Sequence, residues 1–393
     1  MKEVVIASAA RLPVGKLGGT LLHAEETDMA ITVIKEAMQR ANNLDYKEVD
    51  ELVMGHNFRT GLINSNSTRI FAIKAGFPYE IPQFTLNKHC GAGIKSVTYA
   101  YQAIRSETAD VIISGGIEQM SKACHFAPGA RWGIKVGHLN LIDQLVMRDN
   151  ISNLSMIQSN EKLAKLYNIT RKEQDEYAVL SENKAERAIK NGEFEEEIVP
   201  LEINNRGTKY MFEKDECPKF GTNLKALSSL RTIEFSGTIT AGNASSMSDS
   251  AAAVVVMSQE KAKNLGIKPL AKILSFSYVG VDPSLFGIAP VPTIQKALDN
   301  AGLKIEDIDL IELNEAFACQ IIYCLREFNI DTNSEKLNIN GGAIALGHPI
   351  AATGTVILTK LLYGLKKRKK RYGLASLCIG GGQGIAIIVD AKV

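Results

Sequence analysis

The sequence predicts an α/β protein made of two copies of one unit, with a segment of different character inserted into the first copy. Residues 37–58 and 297–317 repeat one pattern of helix, short acidic turn and buried strand, in which Ile311 falls on Leu52. A strand precedes each copy of this pattern, and a glycine-rich turn, an apolar helix and another strand follow it. Strands that alternate with helices predict parallel or mixed sheets covered by helices.

The predicted strands are short apolar runs. In the first copy they are EVVIASAA at 3–10, DVIISGG at 110–116 and AAAVVVMS at 251–258. The second copy contributes AKILSFSYVGV at 271–281 and, within 373–389, two buried strands separated by glycines. The glycines interrupt that last run, so it falls short of the roughly 18 continuous apolar residues that a membrane helix needs.

The inserted segment is rich in charge and short of apolar strands. Within it, Thr170 followed by Glu173 forms a capping box that predicts a helix ending at Gly192. Because the last strand of the first copy comes only after this segment, we interpret the segment as a lid, with a third independent domain as the alternative. The predicted parts are residues 1–118 with 239–267 (first half), 119–238 (lid) and 268–393 (second half).

Composition narrows the functional classes. The 393 residues include 45 Lys plus Arg and 43 Asp plus Glu, a formal net charge of +2. This near equality of basic and acidic residues argues against a nucleic-acid or membrane partner. The six cysteines show neither CxxC pairs nor a dense framework, so reduced thiols are expected. The N-terminal residues do not resemble an export signal, and we therefore expect a cytoplasmic protein.

Cys90 lies in the run NKHCGAGIKS, where a strand-like segment ends and an apolar helix begins. A thiol at a helix N-terminus is close to unpaired N–H groups and to the positive end of the helix dipole, which lower its pKa and favour the thiolate. The small residues that follow Cys90 let a substrate approach the backbone. We therefore expect Cys90 to be a nucleophile, with a buried inert cysteine as the alternative.

His348 lies in the run NGGAIALGHPIAATG, at the place in the second copy that corresponds to Cys90 in the first. If the two copies pack about a pseudo-twofold axis, the two helix N-termini converge and bring an imidazole to a thiol. A nucleophile beside a base is the arrangement needed for covalent catalysis. Taken singly, a histidine in such a turn is more often a structural residue.

Cys378 precedes three glycines at the C-terminal end of a predicted strand, where open α/β sheets place their sites. The N–H groups of Gly380, Gly381 and Gly382 suit an oxyanion hole, although a glycine run alone is a weak signal. Asn314 ends the strand of the repeated unit and is placed to orient a water or a carbonyl oxygen.

Together, the motifs around Cys90, His348, Cys378 and Asn314 resemble those of the thiolase family. Six runs are similar to its successive blocks, in order and across essentially the whole chain: NKHCGAGIKS, SGGIEQMS, TAGNASSMSDSAAA, ELNEAFA, NGGAIALGHPI and LCIGGGQG. The resemblance implies two βαβαβαββ halves, layered α/β/α/β/α, with an inserted loop domain that covers coenzyme A. It implies that Cys90 is the nucleophile, His348 its base, Cys378 the acid/base cysteine and Asn314 the residue that holds a water, while the N–H groups of Cys90 and Gly380 form an oxyanion hole.

The resemblance also implies substrate contacts. Those with coenzyme A are made by Ser245, Ala241, Lys219 and Phe235. The acyl end is lined by Met156, Phe286 and Phe317. Here the chain departs from the family pattern, since Ser155 replaces a histidine of the acyl pocket and Phe286 a methionine. Thr353 and Ala351 stand where the family has serine and glycine.

The implied activity is the reversible Claisen condensation of two acetyl-CoA to acetoacetyl-CoA and CoA, or thiolysis of a 3-ketoacyl-CoA, through an acetyl-Cys90 intermediate. Coenzyme A enters only as substrate and product, and no metal or other cofactor is expected. Cys378 provides the base that direct proton abstraction requires, which favours a thiolase over a decarboxylating ketosynthase. The loop RWGIKVG at 131–137 resembles that of short-chain biosynthetic members, which are commonly homotetramers built as a dimer of dimers.

Other hypotheses remain open at this point. One is a thiolase for longer or branched 3-ketoacyl chains, and another is a catalytically silent protein that binds acyl-CoA or lipid. A Cys90–Cys378 disulfide acting as a redox switch is a further hypothesis. The basic run KKRKKR at 366–371 is interpreted as the solvated, dipole-complementing end of a helix and not as a nuclear signal.

Overall fold

In the computed structural model, which describes residues 2–58, 60, 66–133 and 135–393, the two copies of the repeat form two halves of one mixed sheet. The strands are β1 (Val4–Arg11), β2 (Gly15–Lys16), β3 (Glu51–Gly55), β4 (Gln83–Leu86), β5 (Val111–Gln119), β6 (His125–Phe126), β7 (Ile142–Asp143), β8 (Leu201–Asn205), β9 (Thr208–Phe212), β10 (Ser248–Ser258), β11 (Ala271–Gly280), β12 (Leu310–Leu313), β13 (Tyr372–Ile379) and β14 (Gln383–Asp390).

Helices cover both faces of this sheet. They are α1 (Glu26–Arg40), α2 (Ser67–Ala75), α3 (Ala92–Arg105), α4 (Met156–Leu166), α5 (Arg171–Lys190), α6 (Leu224–Ser228), α7 (Gln259–Asn264), α8 (Pro290–Ala301), α9 (Ala318–Glu327), α10 (Ala343–Leu346) and α11 (Ile350–Arg368). A 3₁₀ turn at His89–Gly91 leads directly into α3.

The two half-sheets have the same topology. The order is β4-β3-β5-β10-β1 in the first half and β12-β13-β14-β11 in the second. In each half the outer strands are parallel and the inner ones antiparallel. In the second half, the position of β4 is occupied by an isolated parallel bridge between Ile311 and Leu337. The halves join where Val5 pairs with Lys272 and Ile6 with Ala271. The predicted duplicated α/β architecture is confirmed.

Alternating side chains separate the layers. Val4 and Ile6 of β1 face a buried cluster that also contains Ile94 of α3 and Leu361 of α11. Val5 faces the opposite cluster, which is built on α1 and α2. Successive residues of a strand point to opposite faces, so a continuously apolar strand is buried on both sides. Helices α3 and α11 therefore form a central layer between the two half-sheets.

The inserted segment contacts both halves. Leu163 of α4 and Tyr177 of α5 share a buried cluster with α8 and α9 of the second half, whereas Leu201 of β8 joins the core of the first. The capping box of Thr170 and Glu173 is present, and the predicted helix ends at Lys190 just before Gly192, which has φ +64°. The domain boundaries given above remain a prediction.

Candidate active site

The turn that carries Cys90 is held between a strand end and a helix start. Cys90 is half-buried in the 3₁₀ turn before α3, and the N–H of Gly380 and its own N–H act on its sulfur. Burial nevertheless raises the pKa of Cys90 to about 11, and the negative charge of Glu118 acts in the same direction. The expectation of a lowered pKa is therefore wrong, because dehydration of the thiolate outweighs the favourable N–H groups.

Cys378 lies next to Cys90 in space. It is the penultimate residue of β13, buried and paired with Gly384 of β14. Burial raises its pKa well above the usual range, and the proximity of Cys90 adds to that shift. The backbone turns are in contact as well, since a Cβ on Gly91 would overlap the side chain of Ile379. The two sulfurs therefore belong to one site.

His348 lies in the short connection between α10 and α11. Its backbone N–H donates to the carbonyl of Ser246 at 2.9 Å, and its ring Nδ1 lies 2.7 Å from Thr353 Oγ1. Burial lowers the pKa of His348 to about 4, so the imidazole is neutral at physiological pH. A neutral imidazole with one nitrogen engaged keeps the other nitrogen for a proton transfer.

Close packing of two helices connects the histidine to the nucleophile. Helix α11 packs against both α3 and the turn of Cys90. A Cβ on Gly93 would lie 2.6 Å from the backbone nitrogen of Thr355. The two helix N-termini converge, as the pseudo-twofold hypothesis predicts. Helix α3 begins two residues after Cys90, and helix α11 begins two residues after His348.

Asn314 follows β12 and is almost fully buried. Its backbone N–H donates to the carbonyl of Ser376 at 3.0 Å, but neither its Oδ1 nor its Nδ2 finds a hydrogen-bond partner among the described residues. It lines a cavity of about 20 Å³ together with Gly347, Pro349 and Thr353, beside His348. A cavity of this size accommodates one water molecule, and a free amide provides polar partners for it.

The residues implied for the acyl end are grouped around the second cysteine. Phe286, Phe317 and Cys378 belong to one buried cluster, against which Met156 packs. A Cβ on Gly380 would lie 3.4 Å from Met156 Sδ, so the thioether covers the residue whose N–H acts on the nucleophile. Ser155 caps α4, accepting from the N–H of Gln158 at 3.0 Å, which positions Met156 as the first helical residue.

The residues implied for coenzyme A lie outside the buried centre. Ser245 is partly exposed and donates its N–H to the carbonyl of Ala316 at 3.0 Å, while Ala241 is exposed. Lys219 is exposed, with its Nζ 3.9 Å from Glu182 Oε1, and Phe235 is 99% exposed. Each of these four positions is at least partly accessible, and their contacts with coenzyme A remain a prediction.

Two buried residues near the site were assigned no role from the sequence. Thr353 was noted only as a departure from the family pattern, and Glu118 only as part of a matched block. Thr353 contacts the ring of His348, and Glu118 accepts a backbone N–H from the first turn of α11. A carboxylate ending an otherwise apolar strand was a usable signal for Glu118, because an acid is rarely buried without partners.

The basic run at the end of α11 is neutralised by acids. Lys366 lies 2.7 Å from Glu196, and Lys367 lies 3.2 Å from Glu193. In the described part of the chain, no group of three His, Cys, Asp or Glu residues is arranged to hold a metal ion. The described helices include none with the length and apolarity needed to cross a membrane.

Comparisons with known proteins agree with this geometry. The model of the thiolase N-terminal domain matches residues 4–260, and that of the thiolase C-terminal domain matches residues 267–391. An acetyl-CoA acetyltransferase of Cupriavidus necator is 46% identical over 397 residues, covering 100% of both chains.

Solved structures are similar over the whole chain. The acetyl-CoA acetyltransferase of Bacillus anthracis has a TM-score of 0.96 at 38% identity and covers 100% of this chain and 99% of its own. Human mitochondrial 3-ketoacyl-CoA thiolase in complex with CoA has a TM-score of 0.95 at 36% identity, covering 100% and 98%. With both domain models and full-length relatives in agreement, the chain belongs to the thiolase family.

Proposed function

We propose that the protein is an acetyl-CoA acetyltransferase, which condenses two acetyl-CoA to acetoacetyl-CoA and CoA and runs the reverse thiolysis. The observation that carries this proposal is the shared position of Cys90 and Cys378, with the N–H of Gly380 acting on the Cys90 sulfur. The names of full-length relatives support the same activity. Neither a longer-chain thiolase nor a silent lipid-binding protein gains support from these comparisons.

In the first half-reaction, both Cys90 and His348 start uncharged. The tautomer with the proton on Nδ1 donates to Thr353 and leaves Nε2 of His348 to accept the proton of Cys90. The Cys90 thiolate attacks the acetyl carbonyl and forms a tetrahedral oxyanion. When this collapses, the CoA thiolate leaves and takes a proton from Cys378. The products are acetyl-Cys90, free CoA, protonated His348 and the thiolate of Cys378.

In the second half-reaction, the Cys378 thiolate removes a proton from the methyl carbon of a second acetyl-CoA. Because burial raises the pKa of Cys378, its thiolate is a strong base once formed. The resulting enolate attacks acetyl-Cys90, and the thiolate of Cys90 leaves and recovers its proton from His348. Acetoacetyl-CoA is released with both cysteines and the histidine back in their starting states.

Two oxyanions need stabilisation during this cycle. The N–H groups of Cys90 and Gly380 are placed for the oxyanion that forms on the acetyl-Cys90 carbonyl. Asn314 holds a water that, with protonated His348, stabilises the enolate of the second acetyl-CoA. The buried, unpartnered amide of Asn314 beside a water-sized cavity supports this second assignment.

Coenzyme A serves in this proposal only as part of substrate and product, without a separate cofactor. The proposed location is the cytoplasm, because free thiols are usual in a reducing compartment. The free thiols are Cys90, Cys217, Cys319, Cys324 and Cys378.

We also propose that copies of the chain assemble as a homotetramer through the loop that contains residues 131–137. Trp132 is 87% exposed and Val136 is 95% exposed, an arrangement that favours burial against another copy. Ile134 of this loop lies outside the described residues. Light scattering on the purified protein checks the assembly. A monomer at micromolar concentration would refute it.

The decisive experiment separates the two half-reactions. The protein is incubated with acetyl-CoA, quenched with acid and analysed by intact mass and peptide mapping. We expect one acetyl group on Cys90, none in Cys90→Ala, and an acetyl group without acetoacetyl-CoA production in Cys378→Ala. An unmodified Cys90 in the wild-type protein would refute the proposed function. Thiolysis rates for acetoacetyl-CoA and for longer or 2-methyl-branched substrates then measure acyl preference.

A further inference from the structure

A buried carboxylate of the first half contacts the helix that follows the catalytic histidine of the second half. Glu118 lies at the end of β5 and has no exposed surface. Its Oε1 accepts the N–H groups of Phe58 at 2.9 Å and Asn57 at 3.3 Å. Its Oε2 accepts the N–H of Ala351 at 3.1 Å. One carboxylate therefore links a loop of one half to a helix of the other.

The contact with Ala351 replaces a missing helix cap. Ala351 is the second residue of α11, whose N-cap is Pro349. An N-cap side chain ordinarily accepts the N–H of the second or third helical residue, but proline has no acceptor on its side chain. Glu118 accepts that N–H from another strand, and it places a carboxylate at the positive end of a 19-residue helix.

The carboxylate is itself held in place by a buried polar network. His56 Nε2 lies 4.0 Å from Glu118 Oε1 and 3.0 Å from Glu26 Oε1. The other ring nitrogen of His56 lies 2.8 Å from Ser67 Oγ, and Glu26 accepts the hydroxyl of Thr60 at 2.7 Å. A buried carboxylate that fills all these contacts has one orientation, and truncating it leaves several polar groups without partners.

The capped turn contains the partner of the catalytic base. His348 lies three residues before Ala351, and Thr353, which contacts His348 Nδ1, lies two residues after it. The start of α11 is also pressed against β5, since a Cβ on Gly116 would overlap the carbonyl of Ala351. Any displacement of this turn moves His348 relative to Cys90, which belongs to the other half.

We propose that Glu118 is a positioning residue for acyl transfer, which caps α11 from the opposite half of the molecule and so sets the place of His348 against Cys90. This inference rests on the proposed function. Its charge has a second and smaller effect, because the Glu118 carboxylate adds to the raised pKa of Cys90, while burial raises the pKa of Glu118 itself. The Glu118 oxygens accept backbone N–H groups, so the effects of Glu118 on the reacting groups are exerted through Ala351 and through its charge.

Three variants test the proposal. Glu118→Gln removes the charge and directs an amide N–H₂ toward one of the backbone N–H groups. Glu118→Asp keeps the charge but shortens the side chain by one methylene. Glu197→Gln is the matched control, since Glu197 is a comparably buried carboxylate whose side chain pairs with Arg11 at 2.7 Å, away from the N–H groups at the start of α11. Each variant is assayed for kcat and KM of acetoacetyl-CoA formation, for thermal stability, and for alkylation of Cys90 by iodoacetamide against pH.

We expect kcat to fall at least tenfold in Glu118→Gln and Glu118→Asp, with KM for acetyl-CoA changed less than threefold. The alkylation profile of Cys90 shifts to lower pH in Glu118→Gln, because the opposing charge is gone, and stays in place in Glu118→Asp. Glu197→Gln loses thermal stability but keeps both kcat and the alkylation profile.

The inference would be overturned if Glu118→Gln had the same kcat and the same pH profile of Cys90 alkylation as the wild type. It would also be overturned if Glu197→Gln lost as much kcat as Glu118→Gln. If Glu118→Gln does not fold, Glu118→Asp decides through its kcat, because it keeps the carboxylate beside His56. A wild-type protein that forms no acetyl-Cys90 would refute the proposed function itself, an outcome distinct from any result on these variants.

Discussion

Gly93 of α3 and Gly354 of α11 lie where the two central helices cross, each against the backbone of the other helix. A Cβ on Gly93 would lie 2.6 Å from the nitrogen of Thr355, and a Cβ on Gly354 would lie 2.5 Å from the nitrogen of Ile94. The contact is reciprocal, as expected for two copies of one unit related by a pseudo-twofold axis. It allows the two helix N-termini, and the thiol and imidazole that precede them, to approach each other.

Replacing Gly354 by alanine is expected to separate the helices. A methyl group at a backbone-to-backbone contact has no flexible neighbour that could move away, and overpacking of this kind costs about 1–3 kcal/mol. We expect a lower free energy of unfolding in a denaturant melt and slower acetylation of Cys90. Gly364→Ala on the same helix is the control, since its Cβ would meet the ends of two side chains, at 3.3 and 3.5 Å. Equal loss in both variants would contradict the assigned role of the crossing.

The pH dependence of Cys90 acetylation follows from the two perturbed groups. His348 must be unprotonated to act as a base, and burial lowers its pKa to about 4. Cys90 starts as a thiol, since burial raises its pKa to about 11. The rate is therefore expected to fall on the acid side as His348 gains a proton, and to rise on the alkaline side, where Cys90 becomes a thiolate without the help of a base. Rapid-quench acetylation should be flat between about pH 5 and 10. A limb with a midpoint near 6.5 would show that His348 is not dehydrated as the structure requires.

Replacing Asn314 by leucine is expected to lower activity without lowering stability. The buried amide of Asn314 has no protein partner within the described ranges, and replacement by leucine, which has the same branched shape, removes a polar group whose burial costs about 1–3 kcal/mol. Asn314→Leu should therefore be at least as stable as the wild type, while condensation slows about 10²-fold through loss of an oxyanion partner. In Asn338→Leu, the control, stability should fall, because Asn338 bonds both backbone groups of Leu313 at 2.9 Å. A destabilised Asn314→Leu variant would contradict this account.

Met156 is expected to limit the length of the acyl chain. Its thioether covers Gly380, and Phe286 and Phe317 occupy the same buried cluster, so shortening Met156 opens space next to the reacting carbonyl. We expect Met156→Ala to raise the ratio of thiolysis of a six-carbon to a four-carbon 3-ketoacyl-CoA by about tenfold. Leu166→Ala, on the same helix but with a side chain that is 55% exposed, should leave the ratio unchanged. An unchanged ratio in Met156→Ala would place the chain-length limit elsewhere.

Most of the architecture could be predicted from local patterns in the sequence. The match of Ile311 to Leu52 identified two copies of one unit, and the structure pairs both residues in parallel ladders of corresponding half-sheets. The capping box at Thr170 predicted the start of α5. Such features are set by neighbours in the sequence, through side-chain period and unpaired N–H groups, and can be recognised without coordinates.

The sequence alone determined the family, the duplicated fold and the candidate residues Cys90, His348, Cys378 and Asn314, because their motifs are contiguous in the chain. Tertiary structure decided their chemical state. Burial by distant segments makes Cys90 a thiol instead of the expected thiolate and keeps His348 neutral. The role inferred for Glu118 depends on a contact across 233 residues with Ala351, which no local pattern contains. Dehydration and long-range hydrogen bonds arise only when the chain is packed, and they set the proton affinities on which the proposed reaction depends.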